Sequence, residues 1–310
     1  MYKNEKIKRK NEIKIEWYIW GGENIIEEKK LIPLKFDLMF KKVFGNNEDK
    51  MPLKELLKCI LDIEAKEITI LNPEIIGSSY YDKRTIVDLI VELEDGTKIA
   101  VEMNTNVNKY LIDRNVFYMF KIMSKDMKKG NLYSKLNKHI QINIDCEGYH
   151  KKPIMKYKLI EEECSEVLTD KIEIIRVDLP FYVEKCYNLD ASKLDYKDRF
   201  IGLIGIEDRN LASKIIKGDM IMEDIYKKVE DFSDDEEILG AYDAEWHKIE
   251  TERVVMLDKL EKAEEQGLKQ GIEQGIELTA QNMLKENVDI EFISKVTGLN
   301  INQIKKLESK

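Results

Sequence analysis

The chain has 310 residues, 43% of them hydrophobic and 36% charged, with a formal net charge of −9. This length buries one sizeable core or two smaller ones, and the acidic balance argues against a protein that coats nucleic acid. No apolar run approaches the roughly 18–20 residues that cross a bilayer, and Cys59, Cys146, Cys164 and Cys186 form no CxxC, which suits free buried thiols in a reducing cytoplasm.

Residues 1–30 read as a basic extension. Its start, "MYKNEKIKRKNEIK", leads into no apolar h-region, so no signal peptide is expected, and "IEWYIWGGEN" suits a frayed arm or an added strand. Pro33 to Leu61 predict two helices. In "FDLMFKKVFGNN", Phe36, Phe40 and Phe44, with Met39 and Val43, make an i, i+3, i+4 core stripe, stopped at Gly45-Asn46-Asn47. "MPLKELLKCIL" is amphipathic again. "EITILNPEII", "TIVDLIVEL" and "TKIAVEMN" are β-rich, the last two joined at Asp95-Gly96. A long helix over "VNKYLIDRNVFYMFKIMSKDMKKG" is expected to end at Gly130, followed by strands at Lys138 to Asp145 and Lys171 to Leu179. Asp190 to Glu250 is acidic and largely helical. This order predicts an α/β core with an all-helical appendage.

Charge is unevenly spread. Residues 108–158 hold 12 Lys/Arg against 4 Asp/Glu, whereas 159–250 hold 12 against 25. The basic stretch is either an electrostatic footprint for phosphates or a set of solvated lysine faces. In the tail, Gly267, Gly271 and Gly275 share one helical face. Glycine costs about 1 kcal/mol against alanine inside a helix, so the ridge suggests close packing, either on this same chain or between two copies as a homodimer. The last stretch, "MLKENVDIEFISKVTGLNINQIKKL", has the rhythm of two short helices around Gly298-Leu299-Asn300. Asn300, Asn302, Gln303, Lys305 and Lys306 permit DNA reading there, while a helical cap or dimer element fits equally.

The hairpin "TIVDLIVELEDGTKIAVEMN" carries the chemistry. Buried strand faces rarely hold unpaired carboxylates, because removing an ionised group from water is costly. Glu102 and Asn104 share a face by alternation. A two-residue turn at Asp95-Gly96 would put Asp88 on the opposite face. A three-residue loop of Glu94-Asp95-Gly96, a type I turn closed by a left-handed glycine, sets Asp88 across from Glu102. Opposed carboxylates repel; either a hard cation such as Mg²⁺ compensates, or nearby lysines neutralise a partly exposed pair. His139, His150 and His247 are scattered and read as structural or solvated.

"FDLMFKKVFG", the hairpin ending in "VEMN" and the following "DRNVFYMFKIMS" resemble, in order and spacing, the Rpn-type PD-(D/E)XK nuclease family transposases over about Pro33 to Leu179, and the Gly-rich tail is also like theirs. The resemblance implies a restriction-endonuclease-like core, a mixed central β-sheet flanked by helices, over residues 31–180. An acidic helical region at 181–255 and a Gly-ridged, helix-turn-helix-like tail at 256–310 would follow. It implies a cytoplasmic, Mg²⁺-dependent DNA endonuclease tied to a mobile element or recombination, with Mn²⁺ as a substitute metal, DNA as partner and no membrane. By position, Asp88 and Glu102 are the metal-binding acids and the Met103 carbonyl a third ligand. Asp37 and Lys41 match D-x-x-F-K, though alone they could be an i, i+4 surface pair. Arg114 and Tyr118 match R-x-x-x-Y, and with Asp37 and Lys121 they complete the DNA-contacting set.

Asn104 departs from the motif, whose lysine orients the attacking water and offsets phosphate charge; many relatives carry glutamine there. Asparagine hydrogen-bonds but supplies neither charge nor base. Three accounts follow: the metal activates the water and Asn104 positions it; a lysine reaches in, Lys41 ahead of Lys98; or the fold persists as a non-catalytic nucleic-acid-binding or protein-interaction module.

Overall fold

A computed structural model describes residues 31–75, 85–105, 108–127, 130–148 and 150–308; the extension expected at 1–30 lies outside them. The two expected helices are α1 (Asp37–Phe44) and α2 (Met51–Leu61). Phe36, Phe40 and Phe44 are buried as the stripe required, and Gly45 caps α1 by donating to the Lys41 carbonyl. Strands β1 (Ile68–Leu71), β2 (Glu74–Ile75), β3 (Thr85–Ile86), β4 (Leu89–Leu93) and β5 (Lys98–Asn104) follow. Helix α3 (Leu111–Asp126) leads to β6 (His139–Asp145), β7 (Ile154–Tyr157) and β8 (Ile172–Asp178).

Six strands form one mixed sheet in the order β1-β4-β5-β6-β8-β7. The two central pairings, β5 with β6 and β6 with β8, are parallel, and the flanking ones antiparallel. Strands β2 and β3 pair separately. One face of the large sheet, carrying Val91, Ile99, Val101, Ile142, Ile144, Ile175 and Val177, packs into the main apolar core. On the other face Ile122 of α3 packs on Ile90 and Ala100. That face is otherwise unusually polar: Glu102, Asn104, His139, Gln141, Asn143 and Asp145 are all buried on it.

Four expectations need correction. The run from Thr85 to Leu93 is two strands, because the chain breaks at Val87 and Asp88, where the Val87 amide turns away to the Pro73 carbonyl. The helix expected to reach Gly130 ends at Asp126, its cap residue Met127 being extended. Edge strand β7 escaped notice, since four residues flanked by lysines and Pro153 carry little strand signal. Of the cysteines, Cys59 and Cys186 are buried, but Cys146 is only partly so and Cys164 is exposed.

The turn forms as its glycine demanded. Leu89 faces Val101 and Glu92 faces Lys98, a register closed by a three-residue loop. Gly96 has φ +82° and donates to the Leu93 carbonyl at 3.0 Å. Gly96→Ala forces a β-carbon into the left-handed region and to 3.0 Å from Asn137 Oδ1. Chemical denaturation is expected to show a loss of about 1–2 kcal/mol.

After β8 come α4 (Leu179–Asn188), α5 (Tyr196–Gly205), α6 (Arg209–Ile216), α7 (Met220–Ser233), the 50-residue α8 (Glu236–Lys285), α9 (Ile290–Thr297) and α10 (Ile301–Glu308). Two compact units divide after Tyr242. Helices α4 to α7 therefore belong to the unit holding the sheet, and α8 runs through the boundary expected at 255/256. In the second unit Ala280, Ile293, Ile304 and Leu307 form a small core, with Gly298 (φ 73°) making the turn between α9 and α10. A β-carbon at Gly267, Gly271 or Gly275 would meet no atom within 4 Å, so the ridge docks on nothing among the described residues. No helix among them is long and apolar enough to cross a membrane.

Candidate active site

The hairpin and two helices build the site. In the ladder Met103 should exchange hydrogen bonds with Val87, but the chain has turned away. The Asp88 carboxylate takes the vacated place, its Oδ2 accepting from the Met103 amide at 2.7 Å. Asp88 lies one residue before the paired register, which begins with Leu89 opposite Val101, and its charge acts on the neighbouring Glu102. A strand residue's N–H and C=O point to the same edge, so the Met103 carbonyl is directed toward Asp88 as well.

Glu102 is only 5% exposed, and its Oε1 has no hydrogen-bond partner among the described residues. Burial and the neighbouring Asp88 raise its pKa to about 8, against the opposing pull of Arg114 and Lys41. Burial also raises Asp88 to about 6, with Asp37 adding to the shift and the Met103 amide and Lys41 resisting it. Two acids held this far above their ordinary range mark a place short of positive charge. Among the described residues no three His, Cys, Asp or Glu side chains gather to hold a metal. The residues nevertheless fit a hard cation that keeps several waters: two neighbouring carboxylates, one with a bare buried oxygen, and an adjacent backbone carbonyl.

Lys41, on α1, lies 2.7 Å from Asp37 Oδ1 and 3.2 Å from Asp88 Oδ1. Burial pulls its pKa down, but the hydrogen bond to Asp37 and the charge of Asp88 outweigh that and the net shift is upward. The ammonium stays charged near neutrality and is unfit as a base. Lys98 is engaged elsewhere, paired with Asp126 at the end of α3; Asp126 Oδ2 also lies 3.0 Å from His139 Nε2. Of the two lysines weighed from sequence, only Lys41 touches the acids.

Asn104 is 1% exposed and is spoken for on both sides of its amide. Nδ2 donates to Asp145 Oδ1 at 2.7 Å, and Oδ1 accepts from Arg114 Nη2 at 2.9 Å. Asp145, fully buried, accepts from Arg176 through Nε at 2.9 Å and lies 2.7 Å from its Nη2. His150, expected to be structural or solvated, is buried with Nε2 3.0 Å from Asp145 Oδ2. Asp145 and Arg176 were missed. Their signal was the alternation Gln141, Asn143, Asp145 in "KHIQINID", which the parallel register sets beside Ala100, Glu102 and Asn104.

Arg114 sits 5.8 Å from the Tyr118 ring centre, and Lys121 5.7 Å from that of Phe117. Arg114 is exposed and forms no salt bridge with a carboxylate among the described residues. Asp37, placed with the DNA-contacting residues by resemblance, is bonded to Lys41 instead; a carboxylate would repel a phosphate.

No curated protein and no solved structure matches this chain. The family described as PD-(D/E)XK nuclease family transposase matches residues 34–259, spanning the sheet, the acid pair and helices α1 to α7. The mixed six-stranded sheet flanked by helices is a restriction-endonuclease-like fold, and the chain belongs to the PD-(D/E)XK nuclease family transposases.

Proposed function

We propose that the protein hydrolyses DNA phosphodiester bonds with a Mg²⁺ ion, or Mn²⁺ in its place, held by Asp88, Glu102 and the Met103 carbonyl. The observation that carries this reading is Glu102 itself: a buried carboxylate with a bare oxygen, near a second acid, is stable as an anion only beside a cation. When bound, that ion supplies charge stabilisation at the phosphate and lowers the pKa of a bound water.

The chain's own residues divide the rest. Lys41 holds a fixed positive charge on the phosphate side of Asp88. Arg114 brings the cation that residue 104 lacks, and Asn104 holds Arg114 in place rather than touching water itself. Tyr110, Phe117 and Phe120 are exposed on and just before α3 among Lys109, Arg114 and Lys121, the mixture of rings and cations that nucleic acid favours. A role in moving or recombining DNA, and pairing of two copies through Gly267, Gly271 and Gly275, belong to the same proposal.

Supercoiled plasmid is expected to be nicked with Mg²⁺ or Mn²⁺ and to remain intact in EDTA or with Asp88→Ala. If neither metal supports cutting of supercoiled or single-stranded DNA, the reading fails. Asn104 favours one alternative, a module of this fold that binds nucleic acid without cutting it, because its amide is already used and offers no base. That alternative predicts DNA binding by wild type and Asp88→Ala alike, with no product from either.

A further inference from the structure

Beside the acid pair, between α3 and the sheet, lies a cleft of about 190 Å³ lined by Asn115, Val116, Asn143, Tyr157, Ile174 and Arg176. We infer that it receives one unpaired base of the nucleic acid being cut, so that the substrate is DNA with an unpaired nucleotide next to the scissile phosphate. The inference rests on the nuclease reading and adds the substrate class.

Location comes first. Asn143 is the register partner of Glu102 on the adjacent strand, about 4.8 Å away. Asn115 follows Arg114 on α3, and Arg176 grips the Asp145 that holds Asn104. A phosphate on the acids thus has its neighbouring sugar and base within reach of the cleft.

Size and walls come next. The volume equals about six waters at ~30 Å³ each and falls below the ~300 Å³ at which pockets for larger ligands begin. One heterocycle fits and a base pair does not. Val116 and Ile174 give apolar walls, and Tyr157, on edge strand β7, is 45% exposed and free to stack.

The floor has hydrogen-bonding capacity left over. Arg176 uses Nε and Nη2 on Asp145, and Nη1 has no acceptor among the described residues. The Asn115 Nδ2 likewise has no acceptor there, its Oδ1 accepting from Arg114 Nε at 3.4 Å. The Asn143 amide makes only long bonds, 3.3 Å from Gln141 and 3.4 Å to the Ile175 carbonyl, and the neighbouring Gln141 Oε1 is buried without a partner. Guanidinium and carboxamide groups pair with base edges. A base stacked in a duplex must leave the helix to enter such a cleft, at a cost in stacking and pairing that a base already unpaired is largely spared, so unpaired positions are favoured.

The test uses the full chain in EDTA, where no cutting occurs, with labelled duplexes that are fully matched or carry one unpaired 2-aminopurine. Wild type is expected to bind the unpaired-base DNA more tightly and to change its 2-aminopurine fluorescence. Tyr157→Ala, at an exposed position, and Val116→Phe, which fills the cleft, should each weaken that binding about tenfold and leave matched duplex within about twofold. Equal affinity of wild type for both DNAs, or an unchanged affinity in Tyr157→Ala, overturns the inference. With Mg²⁺, equal cutting of both DNAs overturns it while the nuclease reading stands. Cleft-dependent binding with no cutting of any DNA overturns the nuclease reading, and with it the substrate assignment, and leaves the cleft as a base-binding site alone.

Discussion

Glu102→Gln is expected to lower Mg²⁺-dependent cleavage by about a thousandfold while making the metal-free protein more stable at pH 8. The loss follows from the several kcal/mol of charge stabilisation a bound metal supplies, at about 1.4 kcal/mol per tenfold. The gain follows from linkage. The folded-state pKa of Glu102 is about 8 against 4.5 for the free side chain, and that of Asp88 about 6 against 3.8. Both are raised, so their stability contribution is complete below the unfolded values and is lost as pH climbs through 6 and then 8. In EDTA the parent should therefore lose up to a few kcal/mol between pH 5 and pH 8.5 relative to the glutamine variant, read from urea denaturation. Mg²⁺ stabilises the parent by mass action, and more at pH 8 than at pH 6, because binding must displace the protons. An identical pH slope in parent and variant would sink this account of the acid pair.

Such a test was legible in the sequence as far as one turn. Gly96 can adopt φ +82° at little cost and thereby selects the three-residue loop; face alternation then does the rest. The amphipathic helices around the sheet were legible for the same reason, since their periodicity is local. What stayed hidden depends on register between distant strands. Nothing near Asn104 announces that its amide ends on Asp145, 41 residues later, or that Asp145 is gripped by Arg176 another 31 residues on. Parallel neighbours β5, β6 and β8 are joined by crossovers whose lengths leave the offset open, so the alternating polar positions of β6 could be read but not aimed. The break at Val87 was hidden too, because a β-rich run gives no local sign that an aspartate side chain will replace a ladder carbonyl.

The hidden network yields the second large effect. Asp145→Leu should cost about 3–5 kcal/mol, the usual penalty for leaving one partner of a buried ion pair without the other. Arg176 loses both its contacts, His150 loses the oxygen 3.0 Å away, and the Asn104 amide loses its acceptor. Adding Arg176→Met removes the stranded charge, and denaturation should show most of the stability returning, since apolar replacements of such pairs are often neutral or better. Plasmid nicking should not return with it. Asn104 would still lack the bond that fixes its amide, so Arg114 would lose the orientation set by its 2.9 Å contact with Asn104 Oδ1. A double variant that folds like the parent but cuts poorly separates the two roles of Asp145. One that also cuts like the parent would show that the network serves the fold alone, and that Arg114 needs no anchor to reach the phosphate.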